Sequence, residues 1–169
     1  MTSTLYWVDG PWSGRLALSA RPRGGDWLED EVSAWKRSGV DAVLSLLTPG
    51  EERDLELASE GKLVRAAGLR FFRCPVEDRQ TPTSDGAFLE SLAAVDRELS
   101  AGRKVVLHCR QGIGRTGLFA ACLLVGRGVE PDIAVAKLSK ARGLDVPETP
   151  EQRRWIDRYA VAGAVAHHE

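Results

Sequence analysis

Between a buried run and an apolar stretch the chain carries His108-Cys109-Arg110-Gln111-Gly112-Ile113-Gly114-Arg115-Thr116-Gly117. A glycine-rich segment between a strand and a helix lets successive backbone N–H groups turn inward, making a concave nest at the positive end of the helix. Such a nest suits a phosphate-sized anion. Arg115, six positions after Cys109, can close the ring and hold two oxygens with its planar fork, which lysine lacks. The same positive surroundings favour the thiolate of Cys109, the form that attacks electrophiles. One loop thus supplies a nucleophile and an anion clamp.

These residues need elements to position them. Val105-Val106-Leu107 reads as a central strand entering the loop, and an apolar helix from Arg115 to about Val125 leaves it. Upstream, two short strands are expected near Leu5–Val8 and Arg15–Ser19, before an arginine-, proline- and glycine-rich connection from Arg21 to Gly25. Asp26 with Glu29 looks like a capping box opening a helix to about Ser38, and Gly39 looks like its stop. Ala42 to Leu47 reads as a buried strand ended by Pro49-Gly50, and Glu51 to Glu60 as helix. Leu69 to Cys74 is the next strand, stopped by Pro75.

Phe88, Leu92, Val95 and Leu99 fall at helical spacing and place a helix between Asp85 and Ser100. Two more helices, about Pro131–Ala141 and Pro150–Val161, finish the chain. Strands alternating with helices imply an α/β fold whose central, largely parallel sheet is flanked by helices on both faces. In such sheets ligands bind beyond the carboxyl ends of the strands, where Cys109 to Arg115 falls.

Cys109, five intervening residues and Arg115, preceded by His108 and followed by Thr116, resemble the signature of protein tyrosine and dual-specificity phosphatases, in particular their compact members. Gly112, Gly114, Gly117 and the strand–loop–helix context carry the same likeness. The resemblance implies a cysteine-dependent phosphatase that hydrolyses phosphate monoesters, in phosphotyrosine and/or phosphoserine and phosphothreonine of proteins, through a phosphocysteine intermediate and without a cofactor. By position it gives Cys109 the attack on phosphorus, Arg115 the transition-state clamp and Thr116 a hydroxyl that eases departure of the thiolate. Backbone donors would come from Arg110, Gln111, Gly112, Ile113, Gly114 and Arg115. His108 would orient the loop, nearly the same statement as a buried histidine at a strand end.

A carboxylic acid that protonates the leaving oxygen, and whose carboxylate then activates water, must lie on a neighbouring loop. Pro75-Val76-Glu77-Asp78-Arg79-Gln80-Thr81-Pro82 resembles the loop of compact family members in which an aspartate precedes a proline by four, which selects Asp78. Glu77 is the rival on the same loop. Asp85 reads as a helix-start carboxylate. Gln152 divides between two roles: orienting the hydrolytic water, as a glutamine does in some relatives, or completing a capping box in Thr149-Pro150-Glu151-Gln152.

Cys74 reads as a packed cysteine, with a protective disulfide to Cys109 under peroxide as the alternative. Cys122, mid-helix, reads as core. Arg21-Pro22-Arg23 reads as a solvated charge cluster ahead of a second phosphate site. The loop's Gln111 and Ile113, beside the single extra cation Arg110, disfavour a lipid substrate.

Gly112-x-Gly114-x-x-Gly117 also matches a dinucleotide-binding pattern, but that fold needs further strands and an acidic residue ~20 positions on, whereas everything after Gly117 reads as helix. Sulfur transferases and arsenate reductases also set a cysteine on an anion-binding loop, yet need no upstream acid. A catalytically silent phosphate-binding module is the remaining alternative, disfavoured by cysteine, arginine, hydroxyl and acid standing together.

At 169 residues the chain is read as one phosphatase domain, residues 1–169, long enough to bury a core. Apolar residues are 43% and charged residues 28%, an ordinary globular balance that argues against disorder. With 23 basic against 24 acidic residues there is no bulk field for nucleic acid or an anionic membrane, so anion binding must be local. No apolar run reaches the ~20 residues of a bilayer span, so no membrane insertion is expected. Three cysteines without framework spacing suggest reduced thiols and a cytoplasmic location. The histidines and acids show no metal-ligand spacing. The expected partner is therefore a phosphorylated protein or a small phosphate monoester.

Overall fold

Side chains alternate across the strands, and that alternation sorts the core into two layers. Leu16, Leu18, Ala42, Leu44, Val105 and Leu107 join one buried cluster, while Ala17, Val43 and Val106 join the other. The computed structural model describes residues 3–168, with side chains through Gly163. Its sheet is built from β1 (Tyr6–Val8), β2 (Arg15–Ser19), β3 (Ala42–Ser45), β4 (Arg70–Arg73) and β5 (Lys104–His108), in the order β1-β2-β5-β3-β4. Only β1 runs antiparallel to its neighbour. Ser19 and Ser45 both pair with His108, so three strands end level around the start of the loop.

Helices cover both faces, as the alternating pattern predicts. On one side lie α1 (Leu28–Arg37) and α3 (Glu60–Ala66), which bury Val32, Trp35 and Val64. On the other lie α4 (Asp85–Ser100), α5 (Gly114–Val125), α6 (Pro131–Arg142) and α7 (Pro150–His168). The short α2 (Pro49–Asp54) stands beyond the end of β3. Helix α5 is buried from Gly114 to Leu124 on every side, which is why it is apolar all round rather than striped.

Three local expectations are corrected. The helix expected over Glu51 to Glu60 is two helices: α2 stops at Asp54 and α3 starts at Glu60, and Glu56 between them takes a left-handed φ of 57°. Pro49 does not merely end a strand but opens α2, where Thr48 and Glu51 form the capping box. Asp26 lies in a 3₁₀ turn, Gly25–Trp27, and α1 begins at Leu28 without a side-chain cap. Asp85 stands in the first turn of α4 as expected, and Ser84 caps that helix, its hydroxyl accepting from the Ala87 N–H at 3.4 Å. Among the described residues no helix is long and apolar enough to cross a membrane.

Candidate active site

The chain leaves β5 at His108 in the middle of the sheet, turns through Cys109 to Ile113, and enters α5 at Gly114. Cys109 is buried, and its Sγ accepts from the Gly112 N–H at 3.3 Å. Gly112 has φ +73°, and a Cβ there would stand 2.5 Å from the Ser19 carbonyl oxygen. The turn therefore needs glycine on two counts.

Arg115 is 1% exposed, and its guanidinium is already engaged. Nη1 donates to Glu51 Oε1 at 2.6 Å and to the Val76 carbonyl at 2.7 Å, and Nη2 donates to Glu51 Oε2 at 2.9 Å. Nη2 also reaches Asp78 Oδ1 at 3.1 Å. Burial raises the pKa of the Glu51 carboxyl, but hydrogen bonds from Arg115 and the Thr48 backbone, with the charge of Arg115, outweigh it and hold the group below its ordinary value. Burial likewise opposes the charge of Arg115, and Glu51 foremost restores it.

Beneath the loop His108 is fully buried, with Nε2 2.6 Å from Glu60 Oε2 and Nδ1 3.3 Å from the Cys109 carbonyl. Burial disfavours the imidazolium, but the charge and hydrogen bond of Glu60 prevail, so the pKa of His108 lies above its usual value. Trp35 stacks on the ring at 6.2 Å between centroids. The Thr116 hydroxyl is buried without a hydrogen-bond partner among the described residues, which leaves it uncommitted at the start of α5.

Asp78, half-exposed, lies with Arg79, Cys109, Gln111, Gly114, Arg115 and Glu148 around a pocket of about 170 Å³. Glu77 and Asp85 are exposed and do not line it. The acid loop turns at Arg79, a non-glycine residue at φ 64°, and is tied down by the Arg79–Glu148 ion pair and by Gln152 Nε2 donating to the Gln80 carbonyl at 3.2 Å. Gln152 is fully buried, and the capping box is present: its Oε1 accepts from the Thr149 N–H at 3.1 Å and its N–H donates to Thr149 Oγ1 at 3.2 Å. Its side chain is thus committed to the cap and to the acid loop.

Other expectations separate from the site. Arg23 pairs with buried Glu31 at 2.7 Å and lies over Trp27, so it is structural rather than solvated. Strand β3 lies between β4 and β5, which sets Leu46 between Cys74 and Cys109. At ordinary strand spacing their Cα atoms are about 10 Å apart, beyond the ~7 Å reach of a disulfide. Cys122 is buried in α5, and burial raises its thiol pKa. A larger hollow of about 670 Å³ beside Tyr159 and Val161 lies elsewhere and presents no cysteine or histidine among the described residues. Among the described residues no group of three His, Cys, Asp or Glu side chains could hold a metal ion.

Sequence reasoning missed Glu51, Glu60 and Arg142, the last bonded to loop carbonyls. Only Glu51 had a local signal, since Thr48-Pro49-Gly50-Glu51 is itself a capping box with proline at the first helical position.

Rat (Rattus norvegicus) cyclin-dependent kinase inhibitor 3 is 27% identical over 134 residues, 78% of this chain and 63% of the rat protein. The match thus spans less than two thirds of that relative. Triple specificity protein phosphatase PtpB of Mycobacterium tuberculosis is 43% identical over 60 residues, 36% of this chain and 21% of PtpB. Among solved structures, kinase associated phosphatase superposes with a TM-score of 0.88 at 22% identity, covering 97% of both chains. Tk-PTP in its active form gives 0.76 at 26% identity, covering 93% of this chain and 96% of that one. Residues 19–129, more than half of the chain, match the family Tc-R-P, "Polymorphic toxin system, DSP-PTPase phosphatase", and the chain belongs to that dual-specificity-type phosphatase family.

Proposed function

We propose that the protein hydrolyses phosphate monoesters through a phosphocysteine intermediate. The observation that carries this reading is the meeting of the Cys109 sulfur, the Arg115 guanidinium and the Asp78 carboxyl around one small pocket. The Cys109 thiolate attacks phosphorus, the phosphorus–oxygen ester bond breaks, and the departing oxygen takes the proton of Asp78. Water then attacks the phosphocysteine, giving its proton back to the Asp78 carboxylate, and the phosphorus–sulfur bond breaks to return the thiolate and release inorganic phosphate. Arg115 and the backbone N–H groups from Arg110 to Arg115 hold the equatorial oxygens. The uncommitted Thr116 hydroxyl serves the returning thiolate.

Asp78 Oδ1 accepts from Arg115 Nη2 at 3.1 Å, so the guanidinium proposed to hold the phosphate also faces the proposed acid.

Phosphorylated proteins, bearing phosphotyrosine and/or phosphoserine and phosphothreonine, are the proposed substrates. A pocket of about 170 Å³ with no aromatic side chain in its lining among the described residues supports tolerance of several phosphoresidues rather than strict selection of an aromatic ring. A nucleophile that works as a thiolate requires a compartment that keeps thiols reduced, and the cytoplasm is the proposed one. The whole chain is proposed to act as one catalytic domain. The test is turnover of phosphotyrosine and phosphothreonine peptides of matched sequence. Release of phosphate from both, lost in Cys109→Ser, supports the reading, and release from neither contradicts it.

A further inference from the structure

The carbonyl side of the loop is held from behind. Arg142, the last residue of α6, donates from Nη2 to the Gln111 carbonyl at 2.9 Å and from Nε to the Gly112 carbonyl at 3.2 Å. The Arg110 carbonyl accepts from the Arg21 N–H at 3.2 Å. Three consecutive carbonyls thus have partners outside the nest. These peptide bonds are trans, and in a trans peptide the C=O and N–H of one unit point in opposite directions. Holding the carbonyls of Arg110, Gln111 and Gly112 outward therefore turns the N–H groups of Gln111, Gly112 and Ile113 inward. The Gly112 N–H, directed at Cys109 Sγ, is the visible result.

Gly112 is also where the loop resists a flip least, because glycine populates both halves of φ space. A flipped peptide would aim a carbonyl oxygen at the place meant for a dianion. The guanidinium that opposes this is itself steadied: its Cζ lies 4.2 Å from the ring centroid of Tyr6 in β1, and Gly143, at φ 83°, ends α6 immediately after it.

We infer that Arg142 is a positioning residue, setting the peptide planes of the phosphate loop from outside while Tyr6 steadies its guanidinium. The inference rests on reading that loop as a phosphate cradle. Among the described residues Arg142 bonds only the outer carbonyls, leaving the inner face to substrate. A lysine would keep a charge there but, without the planar fork, would serve one carbonyl at a time.

The test compares Arg142→Ala and Arg142→Lys with wild type in two measurements. One is calorimetric binding of inorganic tungstate, a tetrahedral dianion, in a Cys109→Ser background, which reads the cradle without the chemistry. The other is kcat and KM for p-nitrophenyl phosphate with Cys109 intact. Arg142→Ala is expected to lose about 10- to 100-fold in tungstate affinity and in kcat/KM while its unfolding midpoint moves by only a few degrees. Arg142→Lys is expected to recover part of both. Tungstate affinity and kcat/KM within about twofold of wild type in Arg142→Ala would overturn the inference. If Arg142→Ala does not fold, Arg142→Lys decides: a loss in affinity supports the inference and wild-type affinity overturns it. Failure of the phosphatase reading is separately visible, as wild type that binds tungstate but releases no nitrophenol.

Discussion

Arg115 and Glu51 meet fork to fork, Nη1 on Oε1 at 2.6 Å and Nη2 on Oε2 at 2.9 Å, across 64 positions of sequence. Glu51 is also the residue whose side chain closes the capping box of α2. One carboxylate therefore fixes a helix start and aims the guanidinium before any anion arrives, so the orientation entropy of the clamp is already lost in the free protein.

Glu51→Gln keeps a capping side chain but removes the charge facing Arg115. We expect kcat/KM for an aryl phosphate to fall by about 10- to 100-fold. The pH dependence of stability follows from the lowered pKa of Glu51. Stability from this group is present above the unfolded carboxyl value of about 4.5 and is lost as pH falls through the lower folded value. Urea midpoints measured between about pH 3 and 7 should show less acid-side loss in Glu51→Gln than in wild type.

The buried His108–Glu60 pair titrates in the opposite sense. The folded pKa of His108 is raised, so its contribution is fully present below the unfolded value of 6.5 and is lost as pH rises through the folded value. Urea midpoints should therefore decline above about pH 6.5 in wild type. In Glu60→Gln, which leaves the buried ring without its carboxylate, that decline should vanish. The variant should also lose about 3 kcal/mol or more of stability near neutral pH.

Gly112→Ala places a methyl group against the Ser19 carbonyl in a left-handed backbone conformation. The strain is about 1–3 kcal/mol and can be relieved only by moving the segment that carries the nest. Turnover should drop by about 100-fold or more, with Arg115 and Asp78 unaltered in sequence. Steady-state kinetics beside a thermal unfolding curve separates the two effects.

The centre of the site was legible because its signals are local. An apolar strand, a glycine loop and an apolar helix follow one another between Lys104 and Val125, and each announces itself by composition. Asp78 is selected by its loop's resemblance to that of compact family members, and it lines the small pocket with Cys109 and Arg115. What stayed hidden depends on distant partners. Glu60 meets His108 across 48 positions, and Arg142 meets the loop carbonyls across 30 and 31, with nothing in their neighbourhoods to mark them. The false single helix over Glu51 to Glu60 has a physical cause as well. Leucines at 55 and 57 look helical in composition, but Glu56 between them takes a left-handed φ of 57°, and Leu57 is buried in the cluster that α1 and α3 join.

The most direct test of the phosphocysteine mechanism is hydrolysis of p-nitrophenyl phosphate in EDTA across pH by wild type, Cys109→Ser, Arg115→Lys, Asp78→Asn and Glu77→Gln. The expected result is metal-independent turnover that disappears in Cys109→Ser and falls by about 100-fold or more in Arg115→Lys. Asp78→Asn should lose the basic limb of a bell-shaped profile, and Glu77→Gln should behave as wild type. Turnover that survives in Cys109→Ser, or absence of turnover in a wild-type protein that still binds phosphate, would contradict it.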